Sequence, residues 1–381
     1  MRKRSVLLGL FLVILITFVL SAQAALQTGS LTSWDLPYAE AFPAGIALGA
    51  DGAVYFVAEG GMEAYRLDPE SGLYRSWGVG EGPRDVIVVD GVVFCTVGYN
   101  NLIVYFDPDG LSTSSFEIPF PHVGPMEIHR GPERPDGKID LWIGERDTPG
   151  ILRFEYDPVL YAPLASGTPT DFGAKSEETT LTPVTVSADY ERFTYDLSQM
   201  PEAYPLEGKR YSHPFTEWPL PLGDSLVEDI AVADDGTVWI SFGTPLLLRF
   251  DPSVETLQWM ETIQNVAIFQ GLLPSSDGSI WFGNIVEGAI GHFDPAIGLS
   301  EVWRIPGTGE IYDLAFGGDG RIVYTDRTAD AIGVLDTETG EAAIYRLSED
   351  SEPLYLAIDR DGAVWFTAGS GNYIGRLVIS D

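Results

Sequence analysis

The sequence predicts an all-β protein: a seven-bladed β-propeller of four-stranded blades, with the last blade closed by the N-terminal strand. Three observations carry this. The pair Asp-Gly recurs from Asp51, Asp90, Asp136, Asp235, Asp277, Asp319 and Asp361, with spacings of 39, 46, 99, 42, 42 and 42 residues. A β-rich run with an aromatic follows most of these pairs, as in GAVYF, GTVWI, GSIWF and GAVWF. Four short strands in a period of roughly 40–45 residues mark a propeller blade.

The elements follow in order. Two β runs joined by Asp-Gly make a hairpin whose tight turn needs positive φ, and these are the first two strands of each blade. A third run ends in Asp-Pro or Asp-Thr: YRLDP from Tyr65, VYFDP from Val104, LRFDP from Leu248, GHFDP from Gly291 and VLDT from Val334. Proline lacks the N–H that a ladder needs, so the strand stops there. A fourth run carries one large aromatic: Trp77, Phe116, Trp218, Trp259, Trp303 and Tyr345. Seven hairpins but six such aromatics leave one outer strand to be found. Leu31 to Pro37, around Trp34, looks like Thr216 to Pro221, around Trp218. The N-terminal strand is therefore expected to complete blade 7, closing the ring and covering an open sheet edge.

The propeller is expected over residues 25–381, with an insertion in blade 3 at about 157–214, rich in Thr, Ser, Pro and Tyr. The insertion reads as a surface segment on the side of the Asp-Gly turns, one the ring can do without. A hidden eighth blade and a disordered lid are the alternatives. Ahead of the repeats, Arg2, Lys3 and Arg4 precede an apolar run and an A-x-A step at Ala22-Gln23-Ala24. That describes a signal peptide over residues 1–24 and an exported, extracytoplasmic protein, membrane-anchored if the leader is uncleaved.

Composition excludes several classes. Lys and Arg number 22 against 56 Asp and Glu, a net charge of -34, so phosphate backbones and anionic lipid are repelled. One cysteine, Cys95, rules out a disulfide framework and a Cys-rich zinc module; it reads as a small buried apolar residue. No G-x-S-x-G, Walker loop or HExxH occurs, and the Asp-Gly pairs lack the spacing of a calcium loop.

With DDGTVWIS, SDGSIWFGN, RDGAVWFTAGSGNYIGRL and LRFDP in view, the chain resembles the streptogramin lyase (virginiamycin B lyase-like) propellers over nearly all of residues 30–381 except the insertion. The resemblance implies a magnesium-assisted elimination that opens an ester-linked ring, using Glu and His at the propeller mouth. The family's Glu after WFT falls on Glu59 in Tyr55-Phe-Val-Ala-Glu59 and on Glu145 in Trp142-Ile-Gly-Glu145. Its Pro-His-Gly step has its nearest match in Pro121-His122-Val123-Gly124, one residue longer. Later blades carry Thr367-Ala-Gly369, Gly283-Asn284 and Ser241-Phe-Gly243 instead.

Propeller topology sends the loops leading into each innermost strand, and the loops between second and third strands, to one face. That mouth is expected to collect Glu59, Glu81, Asp85, His122, Glu127, Glu145, Arg146, Asp147, Glu228 and Asp229. Glu287, Glu310, Asp326, Arg327 and Glu352 join them from later blades. Converging carboxylates hold a hard cation such as Mg²⁺ or Ca²⁺, with Glu59, Glu127 and Glu145 as the candidate ligands. Glu59, His122 and Glu145 are the candidate acid, base and electrostatic groups. The plainer reading is that so acidic a chain has solvated acids everywhere. His292 occupies a slot held elsewhere by Arg66, Arg153, Arg249 and Arg376, and reads as structural. Trp239, Trp281 and Trp365 share one strand position and read as blade packing. Two functions follow as expectations. The first is a monomeric module that binds a small molecule, peptide, glycan or protein at its mouth. The second is a divalent-metal-assisted lyase or hydrolase.

Overall fold

The computed structural model describes residues 27–120, 123–163, 171–194, 202–211, 214–223, 225–261 and 268–380. Residues 1–24, where a leader is expected, and His122 lie outside them. Every regular element among the described residues is a β-strand, arranged in seven antiparallel sheets. No helix among them is long and apolar enough to cross a membrane.

The sheets are the seven blades of a propeller. Blade 1 spans residues 43–78, blade 2 spans 83–117, blade 4 spans 227–261, blade 5 spans 269–304 and blade 6 spans 311–346. Blade 3 combines residues 125–156 with the outer strand Phe215–Pro219. Blade 7 combines residues 353–379 with the N-terminal strand Gly29–Asp35, in a register that sets Trp34 opposite Ile374. The hairpin turns are the expected ones: Gly52, Gly91, Gly137, Gly236, Gly278, Gly320 and Gly362 all have φ between 74° and 89°.

Aromatic stacks set strand on strand within a blade. Trp34 stacks on Trp365 at 5.3 Å, Trp142 on Trp218 at 5.4 Å and Trp281 on Trp303 at 5.3 Å. The repeated arginine lies across the neighbouring indole, Arg376 over Trp365 and Arg249 over Trp239, and pairs with a turn aspartate, Asp359 or Asp235. His292 fills the same slot, stacked on Trp281 at 4.3 Å and bonded to Glu301.

The insertion departs from expectation. It does not sit to one side of the ring. It runs round the perimeter and adds an outermost strand to one blade after another. Phe172–Gly173 joins blade 1 and Ser176–Leu181 joins blade 7. Val184–Ser187 and Asp189–Thr194 take blades 6 and 5, and Tyr204–Pro205 and Lys209–Arg210 take blades 4 and 3. Tyr161 crosses blade 2 on the way, edge-on to Phe116. Strand twist explains how one segment can do this. Neighbouring strands rotate by roughly 20–25°, so over a blade of four the outer strand turns towards the circumference. A chain running round the rim in reverse blade order is then antiparallel to each outer strand it meets.

Candidate functional site

Every innermost strand carries a β-bulge, with a register shift two or three residues after the strand begins or just past it. A bulge frees one residue from the ladder and re-aims its side chain. At this step stand Gly45, Asp85, Glu127, Asp229, Gly271, Asp313 and Tyr355, one per blade in order. All but Gly45 line a central cavity of about 340 Å³, where blade 1 contributes Ile46 and Ala47.

The aspartates tie blades in pairs. Asp85 Oδ2 accepts the Ile128 amide of blade 3 at 2.9 Å, Asp229 accepts that of Leu272 in blade 5 at 2.8 Å, and Asp313 that of Leu356 in blade 7 at 2.8 Å. The sequence separation is 43 residues each time. A hydroxyl on the adjoining strand completes each tie: Thr96 donates to Met126 O, Ser241 to Phe269 O and Thr325 to Leu354 O. Gly45 packs so closely on Asp85 that a Cβ there would meet its Cα at 2.6 Å.

Burial pushes Asp85 up to about 6 and Asp313 to about 7. Asp229 goes to about 8, by burial first and then repulsion from Asp313 and Asp85. Glu127 is raised well above the carboxylate range by burial and then by Asp229. His129, also in the wall, is pushed down to about 4 by desolvation. The plainer sequence reading of solvated acids therefore fails for Asp85, Glu127 and Asp229.

The remaining candidates lie apart. Glu59 is half-exposed at the mouth of blade 1 and ion-paired with Arg84 of blade 2. Glu145 is 0 % exposed on the side of blade 3 that faces blade 2, and neither of its oxygens has a hydrogen-bond partner. Burial raises it well above the carboxylate range, Glu217 adds to this and Lys209 opposes it. Tyr211 donates to Glu217 at 2.6 Å, so the insertion reaches this corner. Gly150, lacking a Cβ, leaves room for Glu145 Oε2 where it lies. Among the described residues no three Asp, Glu, His or Cys side chains are grouped to hold a metal ion. Glu59, Glu127 and Glu145 are thus not brought together as one ligand set, and His122 lies outside the described residues.

Around Glu59 the surface is apolar and exposed. Tyr38 is 56 % exposed, Phe42 45 %, Met62 46 % and Tyr99 74 %. Phe42, Met62 and Tyr99 lie beside Glu59: Glu59 N donates to Phe42 O, Met62 N to Glu59 O, and Arg84, paired with Glu59, lies over the Tyr99 ring at 5.6 Å. Phe42 and Met62 hold φ of 51° and 56°, which side chains rarely adopt. Sequence reasoning missed this region, and missed Asp313, Gln270, Tyr312 and Tyr355 in the channel. For Asp313 a signal existed: it stands in the repeat where Asp85 and Asp229 stand.

No family model matches the sequence, and no curated protein matches it. Solved structures do. A streptogramin B lyase structure aligns with a TM-score of 0.69 at 21% identity, over 93% of this chain and 98% of that one. In fold, the chain is a streptogramin-lyase-like propeller. Virginiamycin B lyase from Staphylococcus aureus, in a catalytically inactive form with quinupristin, aligns with a TM-score of 0.68 at 17% identity, over 92% of this chain and 99% of that one. The extracellular domain of a putative one-component system from B. thetaiotaomicron aligns at 0.58 and 12% identity, over 91% of this chain and 39% of that one. The streptogramin-lyase-like ring is tied by Asp85 and Asp229, which the sequence offered as mouth chemistry, and by Asp313, which it did not.

Proposed function

We propose that this chain is an exported streptogramin-lyase-like propeller that binds a small molecule, peptide, glycan or protein at its mouth, over blades 1 and 2. The observation that carries the reading is the exposure of Phe42, Met62 and Tyr99 beside the Glu59–Arg84 ion pair. Apolar groups exposed together, on backbone held in an unfavourable conformation, mark recognition surfaces rather than chance exposure. The ion pair adds a charged donor and acceptor that fix a ligand's orientation.

The alternative is a divalent-metal-assisted lyase or hydrolase using Glu59, His122 and Glu145. Its support is the fold shared with the virginiamycin B lyase that was crystallised with quinupristin. A fully buried Glu145, raised well above the carboxylate range, weighs against it, because burial disfavours the charged form that ligates a cation or accepts a proton.

One experiment separates the two. Quinupristin and a peptide and glycan panel are screened by thermal shift, with and without Mg²⁺, and the product of each hit is examined. Binding without turnover, lost in the exposed-site variant Tyr99→Ser, supports the module. Magnesium-dependent ring opening that disappears in Glu145→Gln overturns it in favour of the lyase.

A further inference from the structure

A backbone network holds the exposed residues at the mouth of blades 1 and 2. Ala41 N donates to Asn372 Oδ1 of blade 7 at 2.9 Å, Asn372 Nδ2 to Tyr38 O at 2.7 Å, and Gly60 N to Ala41 O at 2.9 Å. These bonds fix the stretch that leads into Phe42. Val79 N and Gly80 N both donate to Met62 O, which pins Met62 to the loop that leaves blade 1. Tyr99 rests on Gly82, whose φ is 68° and where a Cβ would meet Tyr99 Cδ2 at 2.5 Å. Asn100 Oδ1 accepts the Glu81 amide and holds the same loop. Apolar side chains shown on a fixed backbone cost less ordering when they bind. Two acids flank them. Glu40 stands shortly before Phe42 and Glu81 next to Gly82; both are exposed, and neither makes an ion pair among the described residues. Arg84, beside them, is already paired with Glu59.

We propose, resting on the mouth reading above, that its ligand is a cationic peptide segment of a partner protein, with Lys or Arg next to an aromatic or aliphatic anchor. The anchor would lie against Phe42, Met62 and Tyr99, and the cations against Glu40 and Glu81. Aromatic residues and methionine are enriched at protein-recognition surfaces, and the flexible thioether adapts to anchors of different shape. Charge selects against other occupants. A net charge of -34 repels a second copy of this chain, an anionic peptide and an anionic lipid surface, and it steers a cation inwards. A glycan needs donors and acceptors around its ring hydroxyls, and Phe42 and Met62 supply no donor.

The test uses the full chain and four peptides with acetylated and amidated ends: Lys-Phe-Lys-Leu, Ser-Phe-Ser-Leu, Glu-Phe-Glu-Leu and Lys-Ser-Lys-Ser. Binding is followed by calorimetry at about 0.15 M salt, where loose attraction to an acidic surface is screened. Lys-Phe-Lys-Leu is expected to bind saturably, and each of the others about ten-fold more weakly or worse. Tyr99→Ser should weaken it about ten-fold. Glu40→Gln combined with Glu81→Gln should do the same and leave Ser-Phe-Ser-Leu unchanged. All three side chains are exposed, and a parent-like melting curve shows that each variant is folded. Glu70→Gln, exposed at the Asp-Pro turn on the opposite face, should leave binding unchanged. Equal or tighter binding of the neutral or anionic peptide, lost in Tyr99→Ser, overturns the cationic class and leaves the mouth reading standing. So does the failure of all four peptides to bind. Equal binding of Lys-Ser-Lys-Ser reduces the effect to charge and overturns the anchored segment. Lys-Phe-Lys-Leu binding that Tyr99→Ser leaves intact overturns both the ligand class and the mouth reading.

Discussion

Asp313 bonds at once to its own strand and to the next blade, through Leu314 N and Leu356 N, each at 2.8 Å. Asparagine offers one acceptor oxygen where the site uses two. Asp313→Asn should therefore leave one amide unpaired and cost about 1–3 kcal/mol in denaturant unfolding, because an unsatisfied buried donor keeps its desolvation penalty. Parent-like stability would show that the tie between blades 6 and 7 adds nothing. Glu145 should behave in the opposite way. It is buried with both oxygens unpartnered, so Glu145→Met, close in shape and without the polar atoms, should stabilise by about 1–3 kcal/mol. A loss of stability instead would mean that the carboxyl has a bound partner, and would revive its role as a ligand. The two acids look alike in sequence; one differs by having amides to accept.

At the scale of elements, the rim segment decides how the ring resists opening. Replacing residues 160–212 with a Gly/Ser linker strips a fifth strand from six blades and bares six outer edges. Exposed edges with free N–H and C=O groups pair with other chains. The shortened protein should melt well below the parent and aggregate on heating, as followed by light scattering during a thermal ramp. A monomeric product with an unchanged melting temperature would reduce the segment to decoration. The N-terminal strand makes a comparable contribution in blade 7. Trp34 is 5 % exposed and stacked on Trp365, so Trp34→Ala should cost about 3–5 kcal/mol in denaturant unfolding.

For the whole molecule, the channel acids set the response to pH. Asp85, Asp229 and Asp313 hold their protons up to about 6, 8 and 7, against an ordinary value of 3.8. Groups raised by folding bind protons more tightly when folded. Their stabilising contribution is complete at low pH and is lost as pH rises through the folded values. Turn acids held low, among them Asp51, Asp235, Asp319 and Asp359, act in the opposite sense and lose their contribution as pH falls below about 4. The melting temperature at constant ionic strength should peak in mild acid and decline from about pH 5 to pH 8. Glu127→Gln should flatten that decline, since it removes one member of the interacting set. A melting temperature that climbs from pH 5 to pH 8 would falsify the account.

The sequence by itself determined the blades. Asp-Gly turns, Asp-Pro stops and one aromatic per outer strand are local signals, since turn geometry and strand alternation act over a few residues. Trp34 as the missing aromatic followed from counting them. The path of residues 157–214 left no such signal. Short polar strands such as Ser176–Leu181 become strands only because a twisted blade presents an edge to them. The site followed the same division. That acids gather at the loops was legible from their places in the repeat. Which of them stay charged was decided by tertiary structure. Asp85 meets the amide of Ile128, while the oxygens of Glu145, alike in sequence, meet no partner and burial raises it well above the carboxylate range. Burial and hydrogen bonding belong to the neighbours that packing supplies, and those neighbours lie a whole blade away in the chain.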